Sequence, residues 1–399
     1  MRSGFKLGKL FGIQIRVNWS WLLIFFLITW NLSTAFRGAH GTWGPVLRWG
    51  LAVLGALLFF SSVLAHELAH SLIAQSRGMT VQSIRLHLFG GVSNIQQEPP
   101  SPGAEFTMAA LGPLTSLVIG TILLVGVNLT TDVPTTRAIN PQDFLADLSP
   151  IQTVFAWLGS VNVILGLFNL IPGFPLDGGR ILRAIFWGIT DNLRQATHWA
   201  SRIGQGIAWL LVFGGISMAF GVTLPIFGTG LVNGLWLAFI GWFMHNAAVQ
   251  SYQQLLIRDI LEDVPISQLM RKDPPTVSPS TTVDTLVHRE IMQSDDHAFP
   301  VLDQGQLLGI VTLDDVRAVS RESWNATTVE DIMTPLDQLS TVSPNDCADE
   351  ALSQLIGTDV RQLPVLDEAQ ELQGLLRRRD ILKWLQLEAD VGMGNLSRG

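Results

Sequence analysis

The chain has 399 residues, of which 48% are hydrophobic and 15% charged, and its positive mean hydropathy excludes an ordinary soluble protein of this length. Its one cysteine, Cys347, excludes an intrachain disulfide and a cysteine-based metal site. The net charge of −8 is unevenly divided, because residues 1–258 carry +6 and residues 259–399 carry −14. So acidic a tail excludes nucleic acid as a partner, since phosphates require a basic surface.

Apolar stretches long enough to cross a hydrocarbon core of about 30 Å recur along the first 244 residues. They lie at 18–36, 49–76, 106–128 and 148–176, and a last stretch, 203–244, divides into two at the breaker-rich segment 221–230. We therefore expect about six transmembrane helices, with the basic residues of 1–16 at the start of the first anchor. Basic residues fall mainly on the side of the N-terminus, which predicts a multi-pass protein of the cell membrane with both termini cytosolic.

The segment 81–96 has the pattern of a short β-hairpin rather than a helix. Ile84, Leu86 and Leu88 alternate with polar residues, and the pair Gly90-Gly91 is expected to supply the turn. We expect this hairpin at the membrane boundary, where it either pairs with an extended substrate strand or serves only as a surface connector.

The acidic tail contains an internal repeat with an offset of 63 to 65 residues. FPVLD at 299–303 recurs as LPVLD at 363–367, and TVSPS at 276–280 recurs as TVSPN at 341–345. Two copies of a βαββα unit are the natural interpretation.

The motif HELAH at 66–70 is the strongest indication of chemistry. On a helix, positions i and i+4 share one face, so His66 and His70 can bind one zinc ion while Glu67 reaches a water molecule as general base. The motif follows seventeen uncharged residues, and an ionised Glu inside a membrane costs about 2.5 kcal/mol or more. A bound zinc ion, one per chain, would offset that cost. The alternative is three side chains bonded only to neighbouring helices.

A catalytic zinc has three protein ligands and one open position, so a third ligand is expected outside the motif. Asp177 is the other carboxylate in an apolar setting, within NLIPGFPLDGGR at 169–180. Pro172 and Pro175 should end the preceding helix, and irregular backbone at membrane depth survives only when it is buried in protein or lines a cavity. The topology then brings Asp177 to the depth of the histidines, although helix capping is an alternative role.

Over about residues 1–250, these motifs resemble the site-2 proteases, zinc metalloproteases that cut other proteins within the membrane. The resemblance implies that His66, His70 and Asp177 bind zinc, that Glu67 is the catalytic base and that Asn169 positions the substrate. The hairpin at 81–96 also resembles the membrane-embedded β-loop of this family. The spacing Asn-x-x-Pro-x-x-Pro departs from the tighter loop of other branches.

Four further polar residues of the membrane half were considered for the site. Asn162 is a second candidate for positioning the substrate, with an interhelical hydrogen bond as the more ordinary role. His87, His198 and His245 lack metal-ligand spacing and are not expected to be ligands.

The two repeats resemble a tandem pair of CBS domains, which often bind adenine nucleotides and dimerise. The first ends in Gly-x-x-Thr-x-x-Asp, which implies that Thr312 and Asp315 contact ribose and phosphate. The second keeps Asp380 but has Arg377 in place of the threonine. We therefore expect one nucleotide site more readily than two, and a homodimer formed through these domains. A docking module without a ligand is the alternative.

The expected fold is a polytopic α-helical membrane protein with a boundary hairpin, plus a soluble α/β tandem CBS domain. We place the membrane domain at 1–255 and the CBS domains at 262–324 and 328–388. The expected function is zinc-dependent intramembrane cleavage of single-span, membrane-anchored proteins, modulated by the CBS pair. A CBS-regulated transporter or channel would instead have charges along several spans, and an inactive scaffold would have no need of Glu67.

Overall fold

The computed structural model describes residues 4–87, 90–95, 98–131, 148–224, 228–294, 296–357 and 360–396. The chain divides into two compact units, Met1–Gln253 and Gln254–Gly399. Each unit has its own buried core, so each is described by itself.

The first unit is built from long helices. They are α1 (Ser20–Ala39), α2 (Pro45–Ser76), α3 (Pro102–Thr130), α4 (Pro150–Asn169), α5 (Asp177–Thr190), α6 (Leu193–Ala219) and α7 (Leu231–Glu262), whose residues from 254 onward belong to the second unit. In the described part of the chain, five of them are long and apolar enough to cross a membrane, namely α1, α2, α3, α4 and α6. The sixth predicted span lies in α7, whose apolar run is interrupted by polar residues such as Asn233 and His245. Residues 225–227 of the predicted turn at 221–230 lie outside the described ranges.

A four-stranded sheet accompanies these helices, in the order β1 (Phe5–Leu10), β2 (Ile13–Val17), β3 (Val81–His87) and β4 (Gly90–Ile95). The strands β2 and β3 are parallel, and the other two pairings are antiparallel. The prediction that the N-terminal segment begins the first anchor was wrong, because this segment forms a hairpin. Along β2, apolar residues alternate with polar ones, and the apolar side chains are buried.

The predicted 81–96 hairpin is present as β3 and β4, but its turn was assigned wrongly. Gly91 pairs with Leu86 and Gly90 pairs with His87, so both glycines belong to β4. Residues 88–89, between the two strands, and residue 96 lie outside the described ranges. Gly91 is needed in the strand itself, because a Cβ there would overlap the side chain of Glu67.

The second unit contains the two predicted βαββα repeats. A three-stranded sheet is formed by β5 (Ala298–Asp303), β6 (Gln306–Thr312) and β7 (Thr334–Pro335), and a two-stranded sheet by β8 (Gln362–Leu366) and β9 (Leu372–Arg377). The helices are α8 (Ile266–Leu269), α9 (Val283–Thr285), α10 (Leu313–Ala318), α11 (Val329–Ile332), α12 (Ala348–Gly357) and α13 (Arg378–Leu396). The first strand of each predicted repeat consists of a single parallel β-bridge. It joins Val277 to Val301 in the first repeat and Val342 to Val365 in the second.

The repeats are interleaved, because the short helix before each one packs into the core of the other. Ile266 of α8 is fully buried with Val342 and Leu363 of the second repeat. Val329 of α11 is fully buried with Val301 of the first repeat. Neither repeat therefore has a complete core alone.

We expect Ile266→Ala to lower the free energy of unfolding of the second unit by about 2–5 kcal/mol, because it leaves a cavity in the second repeat's core. Pulse proteolysis of the full-length protein in increasing urea measures this loss. Ile356→Ala on α12 is the matched control, since Ile356 is 58% exposed and its truncation should change stability by less than about 0.5 kcal/mol. Equal effects of the two substitutions would contradict the interleaved core.

Candidate metal centre

Three metal-binding side chains from two separate segments meet inside the first unit. Nε2 of His66 lies 3.2 Å from Oδ2 of Asp177, Nε2 of His70 lies 3.3 Å from the same oxygen, and the two nitrogens are 3.2 Å apart. Both histidines are more than nine-tenths buried. In the described part of the chain, this is the cluster of histidine and carboxylate side chains that could hold a metal ion.

The three atoms fit a tetrahedral zinc ion. Ligands that stand about 2.0–2.1 Å from zinc at tetrahedral angles are about 3.3–3.4 Å from one another. The side chains His66, His70 and Asp177 match this spacing. Two imidazole nitrogens and a carboxylate oxygen at this distance attract one another only when positive charge, from a proton or a metal ion, lies between them. The donor set, with two imidazoles, one carboxylate and no thiolate, suits zinc.

The opposite edge of each imidazole is held by α3. Nδ1 of His70 donates to the carbonyl oxygen of Met108 at 2.7 Å, and Nδ1 of His66 lies 2.9 Å from Oγ of Ser116. Because a carbonyl oxygen only accepts, the first contact places the ring proton of His70 on Nδ1 and directs its Nε2 lone pair toward the cluster. The Ser116 hydroxyl can donate or accept, and its contact fixes the orientation of the His66 ring. The histidines are therefore oriented before any metal binds.

Asp177 reaches the histidines because the chain turns back between α4 and α5. The helix α4 ends at Asn169, as Pro172 and Pro175 predicted, and α5 begins at Asp177 itself. Gly178 and Gly179 lie against the backbone of the turn at 170–174, where any Cβ would overlap it. The residue before the helix, Leu176, is the N-cap, so Asp177 does not have the alternative capping role.

Glu67 lies on the same helix as the histidines and contacts β4. Its Oε2 accepts a hydrogen bond of 2.9 Å from Oγ of Ser93, and Ser93 in turn lies 3.0 Å from Oγ of Ser71. The hairpin that follows α2 thus fixes the carboxylate beside the cluster. A carboxylate there can accept a proton from a water molecule.

Gly112 on α3 leaves room for the two imidazoles. A Cβ at this position would overlap Nε2 and Cε1 of His70 and would lie 2.8 Å from Nε2 of His66, so a side chain here would displace the His70 ring. Sequence analysis did not identify Gly112 or Ser116. Gly112 and Ser116 are four residues apart and lie on one face of α3. In the sequence, the serine within an apolar span could have indicated a polar contact.

The two predicted substrate-positioning residues lie on α4, outside the metal cluster. Nδ2 of Asn169 donates to the carbonyl of Leu165 at 2.9 Å, and Nδ2 of Asn162 donates to the carbonyl of Leu158 at 2.8 Å. Asn162 is completely buried and its Oδ1 has no hydrogen-bond partner among the described residues. Its burial favours a role within the bundle over contact with substrate.

The predicted nucleotide residues of the first CBS repeat form a helix cap. Thr312 is the N-cap of α10, and both its hydroxyl and its backbone N–H donate to Oδ2 of Asp315, at 2.7 and 2.8 Å. Thr328 and Asp331 make the same cap on α11. The cap alone therefore does not distinguish a nucleotide site.

In the second repeat, Arg377 fills the place of the missing threonine. Its guanidinium donates to both carboxylate oxygens of Asp380, at 2.7 and 2.8 Å, and to Asp296 at 2.7 Å. Asp296 also pairs with Arg271 and Arg379. Burial raises the pKa of Asp296, but the hydrogen bond and charge of Arg271 and the charges of Arg377 and Arg379 bring its pKa below the usual value. Both carboxylate oxygens of Asp380 thus already accept hydrogen bonds from Arg377.

We expect Gly112→Ala to abolish zinc binding while the helices remain intact, because the added methyl group displaces the imidazole of His70 from the cluster. Zinc per chain, measured on protein purified in detergent, tests this. Gly126→Ala on the same helix is the control, since a Cβ there meets no atom within 4 Å, and it should keep the full zinc content. Wild-type zinc content in Gly112→Ala would contradict the role of His70, packed against Gly112, as a zinc ligand.

Comparison with known proteins identifies the families to which both parts of the chain are similar. Residues 54–213 match the family model "Peptidase family M50", and residues 266–322 and 329–387 match the model "CBS domain". The chain is 33% identical to "Putative zinc metalloprotease Rip3" of Mycobacterium tuberculosis, over 97% of this chain and 94% of that protein. It is 29% identical to "Zinc metalloprotease MJ0392" of Methanocaldococcus jannaschii, over 97% of both.

Among solved structures, a site-2 protease from Methanocaldococcus jannaschii is 28% identical and covers 62% of this chain and 95% of its own, with a TM-score of 0.40. The identity of one third over nearly the whole length of the Mycobacterium relative establishes the family. This chain belongs to peptidase family M50, the site-2 proteases, and is a multi-pass membrane zinc metalloprotease with two CBS domains.

Proposed function

We propose that this metalloprotease is an endopeptidase that cleaves single-span, membrane-anchored proteins within the lipid bilayer. One observation carries the proposal: His66, His70 and Asp177 meet at metal-binding distance, beside Glu67, in the interior of a bundle of apolar helices. Buried ionisable groups of this kind in a membrane protein are retained for function. Zinc and peptide-bond hydrolysis account for all four side chains.

The residues of this chain divide the chemistry among them. Zinc held by the two histidines and Asp177 would supply Lewis acidity, which polarises a peptide carbonyl and lowers the pKa of water. Glu67 takes the proton from the attacking water and delivers it to the leaving amine. Ser93 holds one oxygen of Glu67 and so orients the other.

The edge of the sheet is the surface that we propose for holding the substrate. A helical substrate must unwind before cleavage, because its carbonyl groups are otherwise hydrogen-bonded within the helix. In the described sheet, β4 is an edge strand and also carries Ser93, the contact of Glu67. An unwound segment paired with β4 would lie beside the general base. Asn169, at the end of α4, is proposed as a second contact.

We also propose that both termini are cytosolic, in the cell membrane, because the basic residues concentrate on that side. The alternative of a transporter is less well supported. It requires charges distributed along several spans, whereas among the described residues of the first unit the buried Glu and Arg side chains are Glu105 and Arg183, which pair with each other.

For the second unit, we propose that the CBS domains modulate cleavage by binding one adenine nucleotide at Thr312 and Asp315, and that they form a homodimer. The proposal of a single nucleotide rests on Arg377, whose guanidinium engages Asp380 from within the protein. A nucleotide at the second position would have to displace this ion pair.

Replacing Glu67 by glutamine should separate metal binding from catalysis. We expect Glu67→Gln to keep one zinc per chain and to cleave a panel of reconstituted single-span bacterial membrane proteins about 10²–10⁴-fold more slowly, because the amide cannot accept the proton. Zinc analysis and cleavage are measured on the same preparations. Wild-type cleavage by this variant would exclude Glu67 as the base, and absence of zinc from the wild type would exclude the metalloprotease mechanism.

Calorimetric titration of the full-length protein with ATP should give one site per chain. Asp315→Ala should weaken binding at least about tenfold through loss of a charge-assisted hydrogen bond, and Arg377→Thr should create a second site. Asp331→Ala is the matched control, because it removes the equivalent cap of α11 without touching the site. Equal losses of ATP affinity in Asp315→Ala and Asp331→Ala would show that Asp315 serves only as a helix cap. Two ATP sites in the wild type would contradict the role of Arg377.

A further inference from the structure

A second group of charged residues is buried on α5, the helix that begins with Asp177. Arg183 is 6% exposed and Glu105 of α3 is completely buried. Nε of Arg183 donates to Oε1 of Glu105 at 2.6 Å, and Nη2 donates to the same oxygen. Nη2 also donates to Oε2 of Glu98, at 3.2 Å. The guanidinium also lies over the ring of Phe174, 5.7 Å from its centre.

Stability alone does not explain this ion pair. Burying two charges costs several kcal/mol per ion, and apolar residues of similar volume are often as stabilising. The pair is also incompletely satisfied, since Oε2 of Glu105 has no partner among the described residues. What the pair supplies is a fixed distance between α3 and α5, because a guanidinium has a rigid, directional set of donors.

That distance bears directly on the metal centre. Glu105 lies one helical turn before Met108, whose carbonyl orients His70. Arg183 lies on the helix that begins with Asp177, and its cation–π partner Phe174 belongs to the turn that brings Asp177 to the histidines. The ion pair thus connects the helix that orients the imidazoles to the helix that supplies the carboxylate.

We propose that Arg183 is a positioning residue for zinc: paired with Glu105, it holds α5 so that Asp177 stays within coordinating distance of His66 and His70. This inference rests on the zinc centre proposed above. Arg183 touches neither metal nor substrate, and it acts through Asp177.

Chelator competition on the full-length protein in detergent measures the zinc dissociation constant and tests the proposal. We expect Arg183→Met to raise this constant about 10–100-fold, the usual effect of losing a group that supports a metal ligand. Arg183→Lys should lie between wild type and Arg183→Met, since an ammonium keeps the charge but not the rigid fork of donors. Arg202→Met, at an exposed arginine of α6, is the control and should leave the constant unchanged.

A double-mutant cycle with Asp177→Asn separates positioning from a general loss of structure. If Arg183 acts through Asp177, adding Arg183→Met to Asp177→Asn changes zinc affinity by less than about twofold; independent effects would instead multiply. Multiplied effects, or wild-type affinity in Arg183→Met, would overturn this proposal while leaving the zinc centre intact. A wild-type protein without zinc affinity would overturn the proposed function itself. If Arg183→Met does not fold, Arg183→Lys carries the same cycle.

Discussion

The membrane domain depends on one contact, the meeting of two imidazole nitrogens from α2 with a carboxylate oxygen from α5. These atoms lie 3.2–3.3 Å apart in a buried site, which is the spacing of ligands around one tetrahedral zinc ion. The helix α3 makes the arrangement possible: it holds the outer edges of both rings, and Gly112 leaves room for them. The geometry of the site is therefore a property of three packed helices.

The hairpin after α2 connects this centre with the surface that is proposed for the substrate. Because β4 carries Ser93 and packs Gly91 against Glu67, the strand that is proposed to pair with substrate also fixes the general base. Movement of β4 would therefore also move the carboxylate of Glu67. In the second unit, the proposed regulatory role draws on two interleaved repeats and on Arg377, which pairs with Asp380.

The sequence predicted those features that depend on local pattern. The i, i+4 spacing of HELAH and the two prolines before Asp177 determine a shared helix face and a helix end, and the structure brings these residues together. Features that depend on tertiary packing were not predicted. The N-terminal hairpin was missed because Lys and Arg beside an apolar run resemble a membrane anchor, and Gly91 was taken for a turn residue although the nearby Glu67 requires the glycine.

X-ray absorption at the zinc edge tests the central claim most directly, namely that Asp177 joins His66 and His70 in binding one zinc ion. The wild-type protein should show only nitrogen and oxygen ligands at about 2.0–2.1 Å, including two imidazoles. Asp177→Cys should then add one sulfur at about 2.3 Å. A zinc spectrum identical in the two proteins would contradict the account, because the third ligand would then come from elsewhere.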